Sequence, residues 1–463
     1  MNREELKDMS EMKYRYRNEE EMKGSGIEWL GQVPQDWIIN KFKNVSVLYT
    51  GNSIKDTEKD NYTDSYNAYP YVATKDIELN YNKINYKNGM YTEKNDPNFR
   101  VANKDSILLC IEGGSAGKKI SFLNEDVSFV NKLCCISPYR INNKFNFYYC
   151  NSDSFITEFT LNLSGLIGGV SISTLKNFRI TEPNSIEQEK IAKFLDEKTA
   201  QFDSIISKKE ALIQRLEEAK KSLISEVATG KIKVVKTDDG YKLVERKKEE
   251  MKDSGVEWLA LIPKEWKRIK LARISNVVRG GSPRPAGDLK FFGGNEVPWI
   301  TVAEVTKDEN KLLDFVSSYL TQLGKRQSRY LEKGTLIMSN SGATLGVPKI
   351  LNISGCINDG SLAFLNLDID KNYLYYLLKS RTKIFREEMQ VSGQPNLNTD
   401  VIKALDILKP LNEEQKLIAE YLDVKTDRIN ELIGKSKYQI LKIKEAKQSL
   451  ISEAVTGKIE IIN

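Results

Sequence analysis

Two blocks of this chain are near copies of one another, and they bracket stretches that are not. Residues 20–30 read EEMKGSGIEWL and residues 249–259 read EEMKDSGVEWL, an offset of 229. Pro34-Gln35-Asp36-Trp37 answers to Pro263-Lys264-Glu265-Trp266 at the same offset. EQEKIAKFLDEKT (187–199) matches EQKLIAEYLDVKT (414–426), and EAKKSLISEVATGKI (218–232) matches EAKQSLISEAVTGKI (445–459), both at an offset of 227. A repeat of this period requires one architecture to be built twice. Between the blocks only traces persist, such as Tyr69-Pro70-Tyr71-Val72 beside Val297-Pro298-Trp299-Ile300, so the frame is held while its contents vary.

The framing block reads as a helix. From Glu187 to Glu226 there is neither Gly nor Pro, and strong helix formers dominate. Apolar residues follow a 4-3 spacing, Ile191, Leu195, Phe202, Ile205, Leu212, Leu216, Ala219 and Leu223, interrupted by Lys198 and Lys209. The C-terminal copy carries Ile418, Leu422, Ile429, Leu432, Ile443, Ala446 and Leu450. Such a seam suits a coiled coil of about 60 Å. One stripe alone equally fits a helix facing a core. Two copies closing two repeats favour mutual pairing; if the pair is antiparallel, a pseudo-twofold axis relates the repeats. Gly230 and Gly457 are the stop signals.

The divergent stretches, 26–184 and 255–411, mix short strand-like runs (Ser106–Cys110, Thr335–Met338) with aromatic-rich helical candidates (Phe145–Phe159, Tyr373–Met389). The predicted fold class is α+β (mixed α/β): two globular domains alternating with two long helices, 185–232 and 412–463. Residues 1–25 form a charged N-terminal extension and 233–254 a charged linker.

Composition removes whole classes of chemistry. There is no histidine among the 463 residues, so Ser-His-Asp and Cys-His catalysis and histidine-containing zinc sites are excluded. Cys110, Cys134, Cys135, Cys150 and Cys356 match neither a zinc pattern nor a disulfide framework and are expected to be reduced core thiols. No apolar run approaches the length of a membrane span and the first residues are charged, so the expected compartment is the cytoplasm, without a membrane partner. The net charge of +6 is uneven: residues 26–184 hold 17 basic and 17 acidic side chains, residues 255–411 hold 22 and 16. The second divergent domain therefore carries the polyanion signal, and any nucleic-acid face on the first must be a local patch.

Glu112-Gly113-Gly114-Ser115-Ala116-Gly117-Lys118 imitates a phosphate loop but lacks the spacing and the following Ser/Thr. Its counterpart, Ser341-Gly342-Ala343-Thr344-Leu345-Gly346, has no lysine. Both read as Gly-rich turns whose N–H groups suit DNA phosphate, with Ser115, Lys118, Ser341 and Thr344 as candidate contacts. Arg279-Gly280-Gly281-Ser282-Pro283-Arg284-Pro285 is a basic turn-forming loop, and Thr50-Gly51-Asn52-Ser53-Ile54-Lys55 is its counterpart. Arg pairs bidentately with guanine and Asn or Gln with adenine. Arg279, Ser282, Arg284, Asn52, Ser53 and Lys55 are thus candidate DNA contacts, as are Gln394 and Asn396. No dinucleotide fingerprint, methyltransferase quartet or metal site is present, so no catalytic residue is assigned.

The duplicated order of Ser-Gly-Ile/Val-Glu-Trp-Leu, Pro-x-Asp/Glu-Trp, divergent domain, Glu-Gln helix start and Ser-Leu-Ile-Ser-Glu with Thr-Gly-Lys-Ile resembles the specificity subunit of type I restriction-modification systems. The resemblance spans nearly the whole chain. It implies two target recognition domains, each reading one half of a split sequence in double-stranded DNA, with the helices as spacer and docking surface. It also implies two modification subunits and restriction subunits as partners, with S-adenosylmethionine, ATP and Mg bound there and no cofactor in this chain. A coiled-coil scaffold without DNA readout, or a self-contained DNA-modifying enzyme with an unrecognised site, are the competing readings.

Overall fold

The computed structural model describes residues 13–79, 83–165, 168–256, 261–342, 344–390 and 397–462. The chain divides into two compact units that do not follow its linear order: residues 1–210 with 437–463, and residues 211–436. Each long helix, Ser185–Ala228 and Asn412–Val455, gives its first part to one unit and its second part to the other. Among the described residues no helix is long and apolar enough to cross a membrane.

In the first unit an antiparallel sheet runs in the order Ile120–Phe122, Ile107–Cys110, Leu133–Pro138, Ser46–Thr50. A second sheet runs Tyr91–Glu93, Ala68–Val72, Val127–Phe129, Val101–Ala102 and contains one parallel pair. Strand Ile107–Cys110 is buried on both faces, and the period of two divides its side chains between two cores. Ile107 and Leu109 pack with Trp37, Phe145 and Ile191, whereas Leu108 and Cys110 pack with Val72 and Phe129. The second unit repeats this plan in the order Asn276–Arg279, Ser361–Leu365, Leu336–Ser339, Pro348–Leu351, Leu312–Leu313. There Leu336 and Met338 join the core around Trp266, and Ile337 joins the one around Ile300. All five cysteines are buried and unpaired.

The duplicated motifs meet within each unit. Trp37 Nε1 donates to Glu187 Oε2 at 3.0 Å while Arg17 donates to Glu187 Oε1 at 2.5 Å. In the second unit Trp266 donates to Glu414 Oε2 at 2.8 Å and Arg246 pairs with Glu414 Oε1. Burial pushes the Glu187 carboxyl up, against the pull of Arg17 and Trp37. The neighbouring glutamines anchor the strand-to-helix turns: Gln188 donates to Pro183 O (2.7 Å) and accepts from Asn142 N (2.7 Å), and Gln415 does the same with Pro410 O (2.8 Å) and Asp370 N (2.7 Å). Two turns on, Tyr148 donates to Asp196 at 2.6 Å and Tyr376 to Asp423 at 2.5 Å. Each helix ends at a glycine with φ near +77°, Gly230 at +78° and Gly457 at +76°. A Cβ there would lie 2.7 Å from Pro263 and Trp266, or 2.4 Å from Pro34, so the helix stop is also the seat of the Pro-x-x-Trp box.

The segment taken as a charged linker is structured. Residues Ile232–Thr237 and Gly240–Glu245 form an antiparallel hairpin, and Met251–Asp253 pairs with Leu261–Pro263. In the first unit Lys13–Tyr16 pairs with Ile459–Ile462, and Met22–Gly24 with Gln32–Pro34. The alternation of Val234 inward with exposed lysines is a strand pattern that the charge density obscures.

Within each unit the two helix segments run antiparallel. Lys209 donates to Gln439 and Asp203 holds Lys447 in the first unit; Lys220 donates to Asn430 at 2.9 Å in the second. Ile191, Leu195, Phe202, Ile418, Leu422 and Ile443 are buried, and Ile205, Leu216, Leu223, Ile429 and Leu450 are half-buried. The expected seam fails at Leu212 and Leu432, which are 46% and 38% exposed, and at Ala219, which is also exposed. The contacting face passes instead through Ile206, Ile213, Lys220 and Ile433. A stripe read by apolarity alone skips the lysines: Lys198 and Lys220 are buried in it, their charge disfavoured by desolvation. The aromatic helical candidates are a broken pair in the first unit, Asn143–Cys150 and Asp153–Leu161, and one helix, Lys371–Gln390, in the second.

Replacing Glu414 with Ala strands the buried Arg246 guanidinium and the Trp266 indole. Urea unfolding of the full chain is expected to show a loss of about 3 kcal/mol, with a similar loss for Glu187→Ala. A change under about 1 kcal/mol in both variants would show that the frame does not depend on these carboxylates.

Candidate nucleic-acid interface

In the first unit the loops collect where Ser46–Thr50 and Ile107–Cys110 end and Leu133–Pro138 begins, since Cys134 faces Thr50 and Leu133 faces Cys110. Gly51 has no room for a side chain, because a Cβ would sit 1.8 Å from Phe129 O. Asn52 N donates to Phe129 O at 2.9 Å. The Asn52 side-chain oxygen accepts from Arg100 N at 3.0 Å, and the Arg100 guanidinium donates to Thr50 O at 3.1 Å. The Asn52 oxygen is thus committed to the scaffold. Ser53 and Lys55 are exposed, Lys55 making a surface pair with Glu58 at 3.2 Å. The Gly-rich turn is fixed from both sides: Ile111 N donates to Lys132 O at 3.0 Å, and Val170 N to Ile111 O at 2.9 Å. Ser115 is half-buried in this turn, and Lys118 is exposed beside it with its ammonium 3.4 Å from Gly114 O.

The second unit builds the same junction from other side chains. A Cβ on Gly280 would sit 2.1 Å from Asn358 O, the counterpart of the Gly51 approach. Arg279 Nε donates to Asp359 O at 2.7 Å, Ser282 Oγ to Asp359 Oδ1 at 2.7 Å, and the Arg284 guanidinium lies 3.4 Å from Asp359 Oδ2. Arg329 Nε donates to Arg279 O at 2.7 Å, and Gln327 accepts from Arg284 N at 3.2 Å. The short turn before Arg329 adds Lys325, stacked 3.8 Å over Tyr330, and an exposed Arg326. Arg279, Arg284, Lys325, Arg326 and Arg329 therefore share one loop surface, with the Asp359 carboxylate set among them. Part of the excess basic charge of residues 255–411 is concentrated here, a field suited to a phosphate backbone.

The remaining candidates join this junction to different degrees. Asn340 N donates to Gly360 O at 2.9 Å, which brings Ser341 close to Asp359. Ser341 is half-buried there. Thr344 is exposed, and its carbonyl accepts from Ser339 Oγ at 2.8 Å. Gln394 and Asn396 lie outside the described residues, but Leu397, immediately after them, donates from its backbone to Asn340 O at 2.7 Å. Arg100, Arg329, Lys325, Arg326 and Asp359 were not singled out by motif. Arg100 and Arg329 had a signal: they coincide at the offset of 229 inside otherwise diverged sequence. Among the described residues no group of three or more Cys, Asp or Glu side chains is placed to hold a metal ion.

Residues 34–218 and 263–442 match the family described as the type I restriction modification DNA specificity domain. The chain is 25% identical to the type I restriction enzyme MjaVIII specificity subunit of Methanocaldococcus jannaschii, over 97% of this chain and 98% of that protein. It is 28% identical over 192 residues to the MjaIX specificity subunit of the same organism, covering 39% of this chain and 44% of the relative. Its fold is similar to a solved chain from work on complex assembly and conformational transition of the type I R-M system, with a TM-score of 0.69, 16% identity, and coverage of 92% and 99%.

Asp359 holds back the basic surface around it. Asp359→Asn keeps an acceptor for Ser282 and removes the charge, so DNA binding is expected to strengthen on any sequence. The slope of log K against log salt should steepen by about one. An unchanged slope in titrations from low to high salt would place DNA elsewhere.

Proposed function

We propose that this chain, which belongs to the type I restriction-modification DNA specificity family, is the sequence-reading subunit of such a complex and reads a bipartite double-stranded DNA target. The observation that carries the reading is the doubled loop junction. The same take-off glycine, the same arginine on the preceding strand's carbonyl and the same Gly-rich turn occur in both units, while the exposed side chains differ. Like frames with unlike loops suit a target whose two halves differ in sequence. The basic junction of residues 211–436 holds DNA by phosphate contacts, and Arg279 and Arg284 are its candidate guanine readers. The first unit, with no net charge excess, relies on the local patch of Lys55, Arg100, Lys118 and Lys132.

The long helices act as the spacer between half-sites and as the surface for two modification subunits. Methyl transfer from S-adenosylmethionine, and ATP- and Mg-dependent translocation and cleavage, belong to the modification and restriction subunits. This chain contributes recognition and geometry, not turnover. The carboxylates of Glu187, Glu414, Asp196 and Asp423 bind Trp, Arg or Tyr side chains of the frame, which leaves them to structure rather than to acid–base work. We place the complex in the cytoplasm.

The test is a map of methylated adenines in cells expressing the chain with its modification subunits. Wild type should give an asymmetric two-part motif with a fixed gap. The double substitution Arg279→Ala, Arg284→Ala should lower methylation by about 10- to 100-fold through loss or relaxation of one half, the other half staying fully specified. Equal relaxation of both halves, or a contiguous motif, would contradict the two-reader assignment.

A further inference from the structure

Asn340 stands out from every other buried polar side chain in the second unit's loop junction. It follows strand Leu336–Ser339 and is 0% exposed. Its backbone is fully used, with N donating to Gly360 O and O accepting from Leu397 N. Its side chain is not: among the described residues neither Nδ2 nor Oδ1 has a hydrogen-bond partner. Burying an amide in that state is unfavourable, so a polar residue held there calls for a partner that the free chain does not supply.

The repeat provides an internal comparison. At the offset of 229 the corresponding residue is Ile111, which makes the same two backbone bonds, to Lys132 O and from Val170 N, and is buried. The position therefore accepts an apolar side chain, and packing does not require an amide. Through its backbone bond to Gly360, Asn340 also adjoins the junction's polar groups. A Cβ on Gly360 would meet Ser341 Oγ at 3.2 Å and Asn358 Nδ2 at 3.3 Å, and Gly360 adjoins Asp359, on which Arg279, Ser282 and Arg284 converge.

We infer that Asn340 reads a base in the half-site bound by residues 211–436, its carboxamide pairing with the N6–H and N7 edge of an adenine. This rests on the proposed function and names a residue and a base chemistry for it. A carboxamide offers one acceptor beside one donor, the complement of that edge, whereas guanine offers two acceptors there. Full burial means that the base is met only when the turn that begins at Asn340 changes conformation on DNA. Gly342, with φ +77° and no atom within 4 Å of a built Cβ, leaves that turn room to do so.

The test replaces Asn340 with Leu, close in size and apolar like Ile111. The purified full chain is melted, and methylated adenines are mapped in cells carrying the variant with its modification subunits. We expect Tm to hold or rise by about 3 °C, because a buried amide without a partner has been removed. Methylation of the parent motif should fall about 10- to 100-fold, with one base of one half-site relaxed and the other half unchanged. An unchanged motif with raised Tm would overturn the inference and leave the two-reader function standing. A lowered Tm with both halves lost would also overturn it, by showing that the amide holds the fold. Absence of any bipartite motif for the wild type would instead count against the proposed function itself.

Discussion

One carboxylate in each unit ties the duplicated motifs together. Glu187 and Glu414 stand in the first turn of the long helices, where the helix dipole favours negative charge. Each carboxylate divides its two oxygens between an indole and a guanidinium, so the helix start, the Pro-x-x-Trp box and the preceding strand are fixed at once. The side chains involved are largely buried, and a single missing partner leaves a charge that the interior does not solvate. The box then packs on the glycine that ends a helix, Gly457 in the first unit and Gly230 in the second. Helix start, helix stop and box form one contact set, and this is why the sequence repeats them together and nothing else so closely.

The loop junctions lie beyond that set. None of the bonds made by Glu187, Gln188 or Asp196, nor those of Glu414, Gln415 and Asp423, reaches a residue of the Gly-rich turns or of the loops after Thr50 and Arg279. What the junctions share is backbone: the glycine approach at Gly51 and Gly280, and an arginine on the carbonyl that precedes it. Side chains beyond these fixed points can change without loosening the frame. Electrostatics follows the same division. The frame's charges are paired inside each unit, while the charges of the second junction face outward around Asp359.

The repeat, the two long helices and the alternation of domains were legible in the sequence because they rest on local properties, namely helix propensity, spacing and identity between copies. The hairpin at Ile232–Glu245 was not, since Lys233, Lys236 and Lys242 look like a solvated charge run until the partner strand is known. The helix seam was legible at its ends, where Ile191, Leu195, Ile418 and Leu422 also face a domain core. It was not legible in the middle, where Lys220 and Asn430 take seam positions and Leu212 and Leu432 lie at the surface. Of the candidate site, Arg279, Ser282 and Arg284 form one cluster as the loop chemistry suggested. Asp359, which organises them, lies 75 residues from Arg284 and became visible only through the sheet register.

The polar character of the helix seam bears on how such a frame keeps its register. An all-apolar antiparallel pair gains similar burial in several alignments, whereas a part-buried Lys–Asn bond is satisfied in only one. Lys220 with Asn430 penalises a slip by leaving a desolvated ammonium without its acceptor, and the surface bond of Lys209 to Gln439 lies on the same register. Stability is given up at these positions relative to a leucine seam, and a single alignment is gained. For a protein that proposes to read two half-sites at one separation, that is the more valuable property. A shift of one helical turn moves a reading loop by about 5.4 Å, more than one base-pair step, and would place every side chain of the junction against the wrong base.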